Sequence, residues 1–250
     1  MADRRPVLPT QRLDAIDSLR GAALLWMTLY HFFFDLNNFG FLRLDFYRDP
    51  LWTLQRTAIL SLFLFCAGLG QAVAVRRGQT WPRFWRRWVW VLLSALLVSA
   101  GSMWMFPASF IYFGVLHGMA AMLIVARLSA PLGPWLLVPA ALAIAAPFAA
   151  APLLAHSGLA DLFNAPSLNW LGLITRKPVT EDYVPLLPWM GVMWLGVAAG
   201  SHWLQTPSTP WQAPNVLGLL PLLGRWSLLY YMVHQPVMIG GLWLLHSTGV

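Results

Sequence analysis

Asp17-Ser18-Leu19-Arg20-Gly21-Ala22-Ala23-Leu24-Leu25-Trp26-Met27-Thr28-Leu29-Tyr30-His31-Phe32-Phe33-Phe34-Asp35 is an apolar run closed at both ends by ionisable groups. As a helix rising ~1.5 Å per residue it crosses most of a bilayer core ~30 Å thick. At ~100° per residue, Asp17, Arg20, His31, Asp35 and Asn38 share one face, while Leu25, Trp26, Leu29 and Phe33 fall elsewhere. Charge at membrane depth costs several kcal/mol unless it faces a bundle interior or a wet cavity. The stretch therefore reads as a first membrane helix with one functional or structural stripe. In the plainer reading, Asp17 and Arg20 pair at the interface and His31 is a core histidine.

Composition extends this reading to the whole chain. With 58% hydrophobic and 10% charged residues, and a mean hydropathy of +0.61, 250 residues are too apolar for a soluble domain. Apolar segments of about 20 residues separated by Pro, Gly or Arg clusters predict an all-α, polytopic membrane bundle rather than an alternating barrel. The net charge of +7 lies in arginines at segment ends, with no continuous basic face for nucleic acid. The lone Cys66 excludes an internal disulfide, and no His-x-x-x-His or cysteine pattern calls for a metal.

Residues 1–16 read as a cytoplasmic tail and 17–250 as one transmembrane domain. About seven spans are expected: Leu19–Leu36, Thr53–Val75, Trp88–Trp104, Ser109–Arg127, Trp135–Leu154, Pro185–Leu204 and Trp226–Leu245. Arg76, Arg77, Arg83, Arg86 and Arg87, with no acid among them, mark a cytoplasmic loop by the positive-inside rule, which also puts the N-terminus inside. The stretch His156 to Glu181 then lies outside. Asn215 to Leu223 is too short to span and reads as an interfacial or re-entrant piece. The pairs Gly114/Gly118 and Gly196/Gly200 have the spacing of close helix crossings, most simply within the chain. No internal repeat relates the two halves, which weighs against a secondary transporter.

Three expected spans carry histidine. His31 and Asp35 are spaced i,i+4, so the carboxylate is expected to reach the ring and orient it. His117 follows Phe113-Gly114-Val115-Leu116, and Ser227, Tyr231 and His234 share a face of the last span. A histidine beside a carboxylate suits a general base or an acylated nucleophile. A hydrogen-bonded helix clamp is the alternative for His117 and His234.

The blocks Asp17 to Gly21, Tyr30 to Asp35, Phe113 to His117, Asp182-Tyr183-Val184-Pro185-Leu186-Leu187-Pro188-Trp189, Gly224 to Leu228 and His234-Gln235-Pro236 resemble the bacterial heparan-alpha-glucosaminide N-acetyltransferase catalytic-domain family. Arg20 and His31, ten residues intervening, also resemble the Arg-x10-His motif of membrane acyltransferases that modify bacterial surface carbohydrates. The resemblance implies an acyl group, foremost acetyl, moved from cytoplasmic acyl-CoA to a cell-envelope sugar or glycolipid, in a multi-pass protein of a bacterial inner membrane. His31 and Asp35 would be catalytic. Arg20, Arg76 and Arg77 would hold the CoA phosphates, His31 lying ~16 Å along the helix from Arg20. His117, Asp182, Tyr231 and His234 would line the substrate cavity. Membrane lipid, acyl-CoA and the acceptor are the expected partners, a homo-oligomer staying open. A transporter or lipid-handling protein with a His/Arg-lined path, and no covalent chemistry, is the alternative.

Overall fold

A computed structural model describes residues 14–205 and 218–247. The protein is a helical membrane bundle; among the described residues there is no strand beyond a single bridge. The helices are α1 Asp14–Asn38, α2 Pro50–Arg76, α3 Trp81–Met105, α4 Val115–Ser129, α5 Leu137–Ala155, α6 Ala160–Asn164, α7 Leu186–Gln205, α8 Leu219–Arg225 and α9 Ser227–Ser247. Four helical stretches are long and apolar enough to cross a membrane: α2, α3, the run Val115–Ala155 that contains α4 and α5, and α9.

The described residues divide into two compact units, 14–63 with 218–247 and 64–205, α2 contributing to each. In the first, Leu24, Met27, Tyr30, Phe46 and Ile59 form a core joined by Phe34, Trp52, Leu223, Tyr230 and Tyr231. On α1, Leu25, Trp26, Leu29 and Phe33 are exposed while Asp17, Leu24, Met27, Tyr30 and Asp35 are buried; Asn38, expected on the same face as Asp17 and Asp35, is exposed at the end of the helix. Asp49 Oδ1 accepts from the Leu51 N–H (2.8 Å), and Pro50 opens α2, a pairing suited to a helix start. The short α8 lies against the first half of α1. A Cβ on Gly21 would strike the Leu220 carbonyl, and one on Gly224 the Asp17 carbonyl, so both positions need glycine for backbone to meet backbone.

In the second unit α7 is the hub. Gly68 of α2 meets the Met193 carbonyl, Gly196 meets that of Phe65, and Gly200 lies on Leu69 and Ala72. The Gly196/Gly200 spacing thus serves a crossing inside the chain, as the sequence suggested. Gly114 and Gly118 meet Asp182 and Val184 instead. Trp88 Nε1 donates to the Ala120 carbonyl and Trp194 Nε1 to Ser129 Oγ, tying α3 and α7 to α4.

Several expected boundaries move. Helix α3 starts at Trp81 rather than Trp88, because Thr80-Trp81-Pro82 is a helix opening; Arg83, Arg86 and Arg87 are therefore helical, and the expected arginine loop shrinks to the turn before Trp81. Helix α4 starts at Val115 rather than Ser109, since Phe113 forms a parallel bridge with Tyr183 and the Val184 N–H bonds the Phe113 carbonyl (3.1 Å). The tail expected to reach residue 16 gives way to helix at Asp14, and residues 1–13 lie outside the described ones. Of the Asn215 to Leu223 piece, the part from Leu219 onward belongs to α8, and 215–217 lie outside the described residues.

Candidate active site

Helices α1 and α9 bring His31 and His234 together, with ring centroids 5.4 Å apart. Around His31 stand Tyr30 (5.7 Å) and Phe34 (6.5 Å), both edge-on. Tyr230 stacks on His234, the rings 5° from parallel at 5.9 Å, and its hydroxyl bonds Thr28 Oγ1 (2.7 Å) on α1. Tyr231, the tyrosine singled out from sequence, lies tilted against the same imidazole at 5.8 Å.

The hydrogen bonds define what each ring presents. His234 Nδ1 is 2.7 Å from the Tyr231 carbonyl, which only accepts, so Nδ1 carries the proton and Nε2 the lone pair. That Nε2 is buried without a partner, and so is Nδ1 of His31. Two imidazole nitrogens without hydrogen-bond partners form an unusual pair, because buried polar groups are nearly always satisfied.

Asp35 does not play the expected part toward His31. Gln235 Nε2 donates to both of its oxygens, at 2.8 and 3.1 Å, and the residue is only 2% exposed. Its side chain crosses to α9 instead of turning back along α1. The i,i+4 rule identifies which residues are able to meet, but a primary amide on the facing helix competes better than a ring already packed among aromatics. Gln235 was the missed residue; its signal was a second polar group beside His234 in an otherwise apolar span.

Arg20 Nη1 bonds Asp17 Oδ1 (3.2 Å), and Arg225 reaches Asp14 (2.7 Å) and, more distantly, Asp17 (3.9 Å). The start of α1 and the short α8 thus pack as one joint carrying these three ion pairs and both glycine contacts. Arg20, His31, Asp35, Tyr231 and His234 belong to this unit; Arg76, Arg77, His117 and Asp182 belong to the other.

There, His117 and Asp182 end the chain's extended segment and start α4. Asp182 Oδ2 accepts from the Val115 N–H (2.7 Å), and His117 Nδ1 from that of Gly114 (3.3 Å). With Nδ1 accepting, Nε2 carries the proton and donates to Ser99 Oγ (3.0 Å), which itself donates to the Ile111 carbonyl (2.6 Å). Both nitrogens of His117 are engaged, unlike those of the α1/α9 pair. Nearby, the Tyr183 hydroxyl donates to the Asn169 carbonyl (2.6 Å); burial, then Tyr112, pushes its phenol well above the usual range, so it stays a donor.

The family model for the heparan-alpha-glucosaminide N-acetyltransferase catalytic domain matches residues 12–236. The chain belongs to this family. Membership accounts for the sequence blocks spread across both units and implies a membrane acetyltransferase using acyl-donor chemistry. No curated protein and no solved structure matches the chain. Among the described residues, no group of three or more His, Cys, Asp or Glu side chains is placed to hold a metal ion.

Proposed function

We propose that this protein transfers an acetyl group from a CoA thioester to an amine or hydroxyl of a cell-envelope sugar or glycolipid, with His31 as the base. The observation that carries this reading is the pair of buried, unpartnered nitrogens on adjacent imidazoles, His31 Nδ1 and His234 Nε2, within a family of membrane acetyltransferases. In the transfer, the acceptor heteroatom bonds the acyl carbon as the C–S bond of the thioester breaks. The acceptor proton passes to the imidazole pair and from there to the departing thiolate, leaving acetylated acceptor and CoA. An acetyl-histidine intermediate at His31 splits the same balance into two steps.

His234, its tautomer held by the Tyr231 carbonyl, serves as the second proton carrier; Asp35, through Gln235, keeps α1 and α9 in register. Arg20, at the joint of α1 and α8, positions the donor. The reading further takes residues 17–250 as one transmembrane domain of seven spans, with the N-terminus in the cytoplasm of a bacterium.

The test is purified protein in lipid vesicles, deuterated acetyl-CoA and a panel of amino sugars and glycolipids, read by mass spectrometry. Wild type should place the label on an acceptor. His31→Ala should lower the rate by about 10²- to 10⁴-fold, the usual contribution of a positioned base, while monodispersity stays unchanged. Transfer by His31→Ala near the wild-type rate would sink the assignment.

A further inference from the structure

Between Asp49 and Asp161 the chain has no acidic residue and seven arginines. Six of them, Arg76, Arg77, Arg83, Arg86, Arg87 and Arg127, lie in the unit that contains α3 and α4. The acids among the described residues of that unit are engaged elsewhere: Asp161 with Arg176, Glu181 with Ser109, and Asp182 at the start of α4. Arg127 sits in the last turn of α4, ~18 Å along the helix from Val115, so Asp182 is too far away to neutralise it.

Arg127 is nonetheless 7% exposed. Its guanidinium lies over the rings of Trp81 (5.3 Å) and Phe84 (5.7 Å), and its Nη2 donates to the Gln79 carbonyl. Nη1 is buried with no hydrogen-bond partner. Trp81 is the first residue of α3, a 25-residue helix whose N-cap Thr80 provides no side-chain bond and whose Pro82 lacks an N–H. A fixed cation thus stands against the positive end of a helix, with an unspent donor and, among the described residues, no carboxylate bonded to it. The two rings and the Gln79 carbonyl offset this charge in part but leave Nη1 unspent, and an anion satisfies both it and the helix end. The forked guanidinium and the helix-opening amides are both suited to phosphate oxygens.

We propose that Arg127 and the first-turn amides of Trp81 and Arg83 form a phosphate site. Its ligand is a phosphate ester, either from the nucleotide part of the acyl donor or from an anionic phospholipid. Only the first source rests on the acetyl-transfer reading.

The experiment uses the full chain, delipidated in a neutral maltoside detergent, with CoA and dioctanoyl phosphatidylglycerol as separate probes. Amide hydrogen exchange follows residues 79–87, and calorimetry gives the affinities of wild type, Arg127→Gln, Arg127→Lys and Arg56→Gln, the last an exposed arginine in the same acid-free stretch. At least one probe should slow exchange at Trp81 and Arg83. Arg127→Gln should weaken that probe about tenfold or more, Arg127→Lys by less, and Arg56→Gln by under about twofold. An effect confined to CoA assigns the nucleotide, one confined to the lipid assigns the membrane, and both assign a site for either. Unchanged exchange with both probes overturns the proposal, as does equal weakening by Arg56→Gln and Arg127→Gln. If Arg127→Gln fails to fold, wild-type exchange and Arg127→Lys decide alone. His31→Ala should bind both probes like wild type, so failure of the histidine assignment stays separable from failure of this one.

Discussion

Gln235→Leu removes the one side chain among the described residues that bonds Asp35 and replaces it with an apolar side chain of similar volume. The carboxyl group, 2% exposed, then has neither water nor protein to donate to it. In soluble proteins an acceptor stranded in this way costs about 1–3 kcal/mol, and more when charged. Hydrogen bonds between membrane helices average only ~0.6 kcal/mol in double-mutant cycles, with a maximum of ~1.7, because the separated helices find other partners. Here one donor serves both oxygens of a carboxyl group sealed from solvent, so the coupling belongs at the top of that range, about 1.5 kcal/mol. At about 2–4 °C per kcal/mol for a chain of this size, Gln235→Leu should lower Tm in detergent by roughly 3–6 °C. Asp35→Leu should cost a similar amount, and the double variant less than the sum, since neither polar group is then left alone. Acetyl transfer should fall in both single variants, because the His31 and His234 rings face each other across the joint that this bond closes. Strictly additive losses, or single variants with wild-type Tm, would refute the clamp and return Asp35 to an orienting role on His31.

The remaining predictions concern the second unit and the topology. His117→Ala and Asp182→Ala each remove a cap from α4 and should each destabilise by about 1–2 kcal/mol, while the turnover of the folded fraction stays near wild type. Loss of turnover without loss of Tm would make His117 part of the chemistry. In a Cys66→Ala background, a cysteine at Gly78 should be shielded from an impermeant thiol reagent in intact cells, whereas one at Ser157 should react. The reverse pattern would exchange the donor and acceptor sides.

Much of the architecture was legible because its signals are local. Composition alone dictated a membrane bundle, since no arrangement of this much apolar surface is soluble, and the exposed face of α1 followed from helical periodicity. Glycine spacing identified the Gly196/Gly200 crossing, because only a missing side chain lets two helix backbones touch. Helix ends were less readable. Hydropathy treats arginine as a break, yet Arg83, Arg86 and Arg87 continue α3 with side chains able to reach polar surroundings.

The roles of individual polar groups required the tertiary structure. Sequence spacing placed Asp35 within reach of His31 but carried no information on α9, where Gln235 stands ready to take both oxygens. It ranked three histidines by context, whereas their hydrogen bonds separate them: His117 is spent on capping α4, and His31 and His234 retain free nitrogens. In the sequence Arg127 only ends an expected span, whereas the fold buries its guanidinium over Trp81 at the start of another helix. Helix formation and membrane insertion follow from neighbours a few residues away, so the chain alone specifies them. Which donor meets which acceptor is a competition among helices far apart in sequence, and only their packing decides it.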